Sequence, residues 1–132
     1  MFKSDSQNLY SEKSDILILD FWYIQCAPCH MAFPKLNEIF EEYKDRKVNI
    51  ISINPLNNST KDSIMTNLTI SRNKLNFQIG FCANSLTKNL KLQSYPTLYI
   101  LDKNKKILYS HIGYNETDYK INIKTILDKY LN

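Results

Sequence analysis

Ile16-Leu17-Ile18-Leu19-Asp20-Phe21-Trp22 is an apolar run broken by a single charge. It is too short for a typical helix and is bounded by charge, so it reads as a central strand buried on both faces, the kind found in parallel sheets. Cys26-Ala27-Pro28-Cys29 follows shortly after. Leu36, Ile39, Phe40 and Tyr43 then recur at three- and four-residue spacing, which predicts an amphipathic helix from about Pro28 to Asp45, kinked at Pro34. Val48-Asn49-Ile50-Ile51-Ser52-Ile53 is a second β-branched run, closed by the turn residues Asn54-Pro55-Leu56-Asn57-Asn58. A β-α-β unit with a cysteine pair at its first strand-to-helix junction is the result.

The remaining pattern extends this unit. Ile64, Met65 and Leu68 suggest the apolar face of a second helix from Ser59 to about Arg72, capped by Ser59 or Thr60. Phe77 to Cys82 alternates like a strand, and Leu86, Leu90 and Leu92 mark a short helix before Gln93-Ser94. Thr97–Leu101 and Lys106–Ser110 flank the turn Asp102-Lys103-Asn104-Lys105, an antiparallel hairpin with solvated lysines. Ile123, Ile126, Leu127 and Tyr130 form the stripe of a C-terminal helix, with Thr117 or Asp118 as its cap.

At 132 residues, 43% hydrophobic and 23% charged, the chain suits one domain burying roughly two-thirds of its unfolded surface. No run approaches the roughly 20 apolar residues of a membrane-spanning helix. Seventeen basic against thirteen acidic residues give +4, and the basic residues are scattered, which argues against nucleic-acid binding. The first eight residues are polar and lack the apolar core of an export signal, as would a chain whose leader had been removed.

Three cysteines are too few for a disulfide scaffold, and the Cys-x-x-Cys spacing suggests redox or metal chemistry. Exchange needs a thiolate that attacks a disulfide and a second thiol that resolves the mixed disulfide. At a helix start, Cys26 faces free backbone N–H groups and the positive end of the helix dipole, which favour its thiolate. Cys26 is therefore the expected nucleophile, and Cys29, one turn deeper, the resolver. Pro28 lacks an N–H and so leaves one donor fewer for that thiolate. The alternatives are a zinc site completed from Cys82, His30 or His111, or an inert packed pair. Cys82 reads as a small buried hydrophobe or a third redox group. His30 reads as a polar residue on a helix surface, and His111 as an exposed strand residue.

The motif Asp20-Phe21-Trp22-Tyr23-Ile24-Gln25-Cys26-Ala27-Pro28-Cys29, with Pro34, Tyr95-Pro96-Thr97-Leu98-Tyr99-Ile100-Leu101-Asp102 and Gly113, resembles the thioredoxin superfamily from about Asp15 onward. The extra helix and strand between Asn58 and Cys82 are similar to the insertion of the TlpA/ResA-type thiol-disulfide oxidoreductases. The resemblance implies an α/β thioredoxin fold, a central mixed β-sheet flanked by helices with a TlpA-like helix-strand insertion. Residues 1–14 would be an N-terminal extension and 15–132 the thioredoxin-like domain. It implies that Asp20 is the buried acid behind the resolving cysteine, its pKa raised by burial so that it can accept the Cys29 proton. By the same resemblance Pro96 is the cis-proline facing the cysteines. The Tyr95 backbone would pair with an extended substrate segment, and Trp22 would pack beneath the active-site loop. Gln25 replaces the second tryptophan of compact thioredoxins. Ala27-Pro28 replaces their Gly-Pro, and central dipeptides of such sites accompany potentials from about −270 to −120 mV.

The function implied is exchange of disulfides with protein disulfide or dithiol substrates, as a monomeric reductase without a bound cofactor, served by a separate redox partner. The alternative from another class is a non-catalytic interaction module that keeps the fold for binding. A thiol peroxidase would need the Pro-x-x-x-Thr-x-x-Cys pattern, which is absent. TlpA/ResA-type proteins usually work at the cell envelope, so an envelope or periplasmic location is expected if a leader or anchor was removed, with a cytoplasmic one as the alternative.

Overall fold

A computed structural model of the chain describes residues 14–55, 59–81 and 92–131. The short helix expected before Gln93 and the position of Cys82 lie outside those residues, as does most of the expected N-terminal extension. Among the described residues five strands form one mixed sheet: β1 (Ile16–Phe21), β2 (Val48–Asn54), β3 (Gln78–Phe81), β4 (Thr97–Asp102) and β5 (Ile107–Ile112). Their order is β3-β2-β1-β4-β5. β1 runs parallel to β2 and β2 to β3, whereas β4 is antiparallel to both β1 and β5. Every residue of β1 is buried, Asp20 included, as expected of a central strand.

Side chains alternate across this central strand. Ile16, Ile18 and Trp22 join Ile50, Leu98 and Ile100 in the core on one face. Leu17, Leu19 and Phe21 join Ile51, Ile53 and Leu101 on the other. The first face is covered by α1 (Ala27–Tyr43), through Ala32, Phe33, Leu36 and Ile39, and by α3 (Tyr119–Leu131), through Tyr119, Ile123 and Leu127. Burial of each such large side chain contributes about 1.5–3 kcal/mol. The two helices are also tied by polar contacts: Tyr43 donates to Asp128 at 2.7 Å, and Lys120 pairs with Glu38 and Glu42 at 2.8 Å each. α1 continues through Pro34 and passes into a short 3-10 turn, Lys44–Arg46.

α2 (Thr60–Asn73) starts where expected, with Ser59 Oγ accepting from the Asp62 N–H. Its inward face differs from the expected one. Ile64 and Leu68 are 55% and 41% exposed, and the buried residues are Thr66 and Thr69. Thr69 donates its hydroxyl to the Met65 carbonyl at 2.9 Å, so its polar atom is satisfied within the helix and its methyl can serve the core. Counting apolar residues alone therefore rotates the helix onto the wrong face.

The β4–β5 turn is closed by Asp102, whose carboxylate accepts from the N–H groups of Asn104 and Lys106. In the turn leading into α3 the N–H groups of Thr117 and Asp118 are received by the Asn115 side chain, and Asp118 stands directly before the first helical residue. No helix among the described residues is long and apolar enough to cross a membrane.

Candidate active site

β1 ends at Phe21, and the chain turns through Tyr23 and Gln25 before entering α1. Trp22 N–H still donates to the Ile53 carbonyl and Cys26 N–H to that of Tyr23, so both ends of this loop are pinned. Cys26 is the N-cap of α1: its Sγ accepts from the Cys29 N–H at 3.2 Å. A sulfur has taken the place usually held by a Ser or Asp oxygen, in the spot where N–H groups and dipole favour negative charge. Cys26 and Cys29 are joined by a disulfide, their Cα atoms 5.3 Å apart. Cys29 is fully buried and Cys26 is 4% exposed, with Gln25, Ala27 and Pro28 exposed around them.

Asp20 is fully buried in β1, opposite Ser52 of β2 and Leu98 of β4. Ser52 donates to its Oδ2 at 2.7 Å. Desolvation pushes the Asp20 carboxyl up to about 7, with the Ser52 hydrogen bond opposing part of the rise. Asp20 lies on the same face of β1 as Ile18 and Trp22, hence on the face that α1 and Cys29 cover.

Trp22 is buried against α1, its ring in edge contact with His30 (5.7 Å) and Phe33 (5.0 Å). The Tyr95–Pro96 peptide bond is cis. Pro96 is buried just before β4, and because Thr97 pairs with Phe21 it lies beside the end of β1 that leads into the cysteine loop. Tyr95, half-buried, meets the ring of Tyr23 edge-on at 5.2 Å, which joins this segment to that loop. Gly113, at φ +92, ends β5 and donates its N–H to the Pro96 carbonyl at 2.8 Å. Only glycine adopts that backbone conformation freely.

The structure thus gathers Asp20, Trp22, Gln25, Cys26, Ala27, Pro28, Cys29, Tyr95 and Pro96 around the start of α1. It places two histidines differently from expectation. His30 is half-buried rather than a surface residue, and its Nε2–H donates to the Ile24 carbonyl at 2.7 Å, clasping the loop. His111 is likewise half-buried, stacked on Tyr109 and in edge contact with Tyr119. Tyr23 and Ser52 gave weaker signals: an aromatic before the motif and a lone hydroxyl in an apolar strand. Among the described residues no three His, Cys, Asp or Glu side chains gather as a metal site would require.

A cysteine pair at a helix N-terminus, over a buried acid and beside a cis-proline loop, defines a redox-type site on a thioredoxin fold. A family model described as thioredoxin-like matches residues 14–107, and the chain belongs to that family. It is similar to thioredoxin-like protein YneN of Bacillus subtilis (27% identity, 83% of this chain and 63% of that protein). It also resembles thiol-disulfide oxidoreductase ResA of Bacillus cereus (24% identity, 74% of this chain and 54% of that protein). The chain thus spans between about half and two-thirds of the length of these relatives. Among solved structures, one described as thiol:disulfide interchange protein DsbE of Chlorobium tepidum aligns with TM-score 0.77 at 25% identity, over 92% of this chain and 83% of that one. StoA of Bacillus subtilis aligns with TM-score 0.73 at 25% identity, over 87% and 84%.

Proposed function

We propose that the chain is a thiol-disulfide oxidoreductase that reduces protein disulfides. The observation that carries this reading is the Cys26–Cys29 disulfide at the N-cap of α1, on the sheet face that also holds the buried Asp20. In the reduced protein the Cys26 thiolate attacks a substrate disulfide, and one substrate sulfur leaves as a thiolate. Asp20 accepts the Cys29 proton, directly or through water, and the Cys29 thiolate attacks Cys26 Sγ. The second substrate sulfur then leaves, the Cys26–Cys29 bond closes, and two electrons have passed to the substrate. A separate dithiol partner restores the reduced pair.

Exposed Gln25, Ala27 and Pro28 flank the sulfurs, and Tyr95 offers backbone for a short stretch of strand-like pairing with an extended substrate segment. The direction of electron flow follows the resemblance to TlpA/ResA-type proteins, as does an envelope location, which fractionation of the native host would check. The test of the activity is turnover on a protein disulfide with dithiothreitol as electron source. Cys26→Ser should abolish turnover, and Cys29→Ser should accumulate a mixed disulfide with substrate. Undiminished turnover in Cys26→Ser would overturn the reading.

A further inference from the structure

Among the described residues three buried side-chain polar atoms have no hydrogen-bond partner: Asp20 Oδ1, Trp22 Nε1 and Tyr119 Oη. Leaving such a group unpaired costs about 1–3 kcal/mol, and more when it is charged. An ionised carboxylate only accepts, an indole N–H only donates and a phenol can donate. The three therefore amount to one acceptor and two donors in the same core.

The sheet register says which donor suits the acceptor. Asp20 stands opposite Ser52 and Leu98, and Leu98 stands opposite His111, giving one row across β2, β1, β4 and β5. Directly opposed residues of neighbouring strands point to the same face. Tyr119, the first residue of α3 and 2% exposed, packs on that face with its ring 6.1 Å from that of His111. α3 thereby lays a phenol over the row that contains Asp20. Trp22 turns its ring toward α1 instead, against His30 and Phe33.

We infer that Tyr119 is a positioning residue for Asp20, its buried hydroxyl supplying, through one bridging water, the hydrogen bond that the ionised carboxylate needs at Oδ1. Burial, and then the charge of Asp20 with Tyr114 and Tyr109, hold the Tyr119 phenol well above its usual range, so it remains a donor at working pH. Other titratable groups of this core include Tyr43 from α1, Tyr109 and His111 from β5, Tyr114 from the loop before α3 and, only once the disulfide is reduced, Cys29. β2 contributes Ser52 and β4 contributes Leu98, neither of which changes charge in the working range. With two donors on its ionised form, Asp20 is held nearer neutrality than burial alone would place it, where it can both take and return the Cys29 proton. As a statement about catalysis this rests on the oxidoreductase reading. As a statement about the Asp20 carboxyl it does not.

The test is carboxyl carbon NMR of Asp20 across pH in the oxidised full chain, which needs no turnover. Tyr119→Phe should raise the Asp20 midpoint by about one pH unit, whereas Tyr114→Phe should leave it in place. An unmoved midpoint in Tyr119→Phe, or a rise of that size in Trp22→Phe instead, would overturn the inference. A second measurement needs no substitution at Tyr119: with tyrosine labelled at Cζ, the Tyr119 resonance should titrate with the Asp20 midpoint and lose that inflection in Asp20→Asn. A Tyr119 resonance flat through that midpoint would equally overturn it. A shifted carboxyl in a protein that cannot exchange disulfides would sink the oxidoreductase reading and leave this one standing.

Discussion

The hydroxyl of Ser52 donates to Oδ2 of Asp20 at 2.7 Å, between two central strands and with neither residue reached by solvent. Among the described residues no other hydrogen bond reaches this carboxyl, which burial drives up to about 7, and the Ser52 bond acts against that rise. Ser52→Ala should therefore lift the Asp20 midpoint further, by about one pH unit. The acid limb of the pH dependence of resolution by Cys29 should move by the same amount. Rapid-quench measurement of mixed-disulfide decay across pH checks this.

Asp20 also sets how stability depends on pH. Below about pH 4 the carboxyl is protonated folded and unfolded, and its burial carries no ionisation penalty. Between about pH 4 and the folded value near 7, the unfolded chain has ionised while the folded chain keeps its proton, so stability falls as pH rises. Above that value the loss is constant, on the order of 4 kcal/mol. Asp20→Asn should flatten this fall, making the variant more stable than the parent at pH 8 with little gain at pH 4, as read by urea unfolding of the oxidised protein.

His30 holds the Ile24 carbonyl and packs against Trp22 and Phe33. His30→Ala should cost about 1–2 kcal/mol. Hydrogen exchange should quicken at residues 23–26 ahead of the rest of the chain. His30→Gln, which keeps a donor on a flexible stem, should restore part of that protection.

The observed face of α2 makes a different claim. Because Ile64 and Leu68 point to solvent, Ile64→Lys and Leu68→Lys should each change stability by less than about 0.5 kcal/mol. Thr66→Lys, at a fully buried position, should destabilise strongly. Thermal unfolding of the three variants separates the observed face from the one that apolar spacing suggested.

What the sequence made legible was what a single period or motif specifies. The apolar run through Phe21, with its single charge, read as a central strand, and the cysteine spacing at its end marked the site. Asp20 stood out because a charge inside such a run needs a reason. Ser52 and Tyr119 were illegible because their significance lies in register and tertiary packing: a serine in one strand acquires meaning only when paired with Asp20 in another. His30 looked like any polar residue of a helix until the turn of the loop brought the Ile24 carbonyl to it. The face of α2 was misread because threonine, polar by composition, becomes a core residue once its hydroxyl is bonded within the helix.

Everything proposed for this site depends on Cys26 and Cys29 exchanging electrons reversibly. The most direct measurement is their dithiol–disulfide equilibrium against glutathione, read by the mass of alkylated thiols in a chain carrying Cys82→Ser. A working pair should show one reversible two-electron transition between about −270 and −120 mV, toward the reducing end for the direction proposed. A pair that never closes, or a disulfide that never equilibrates with the buffer, would contradict it.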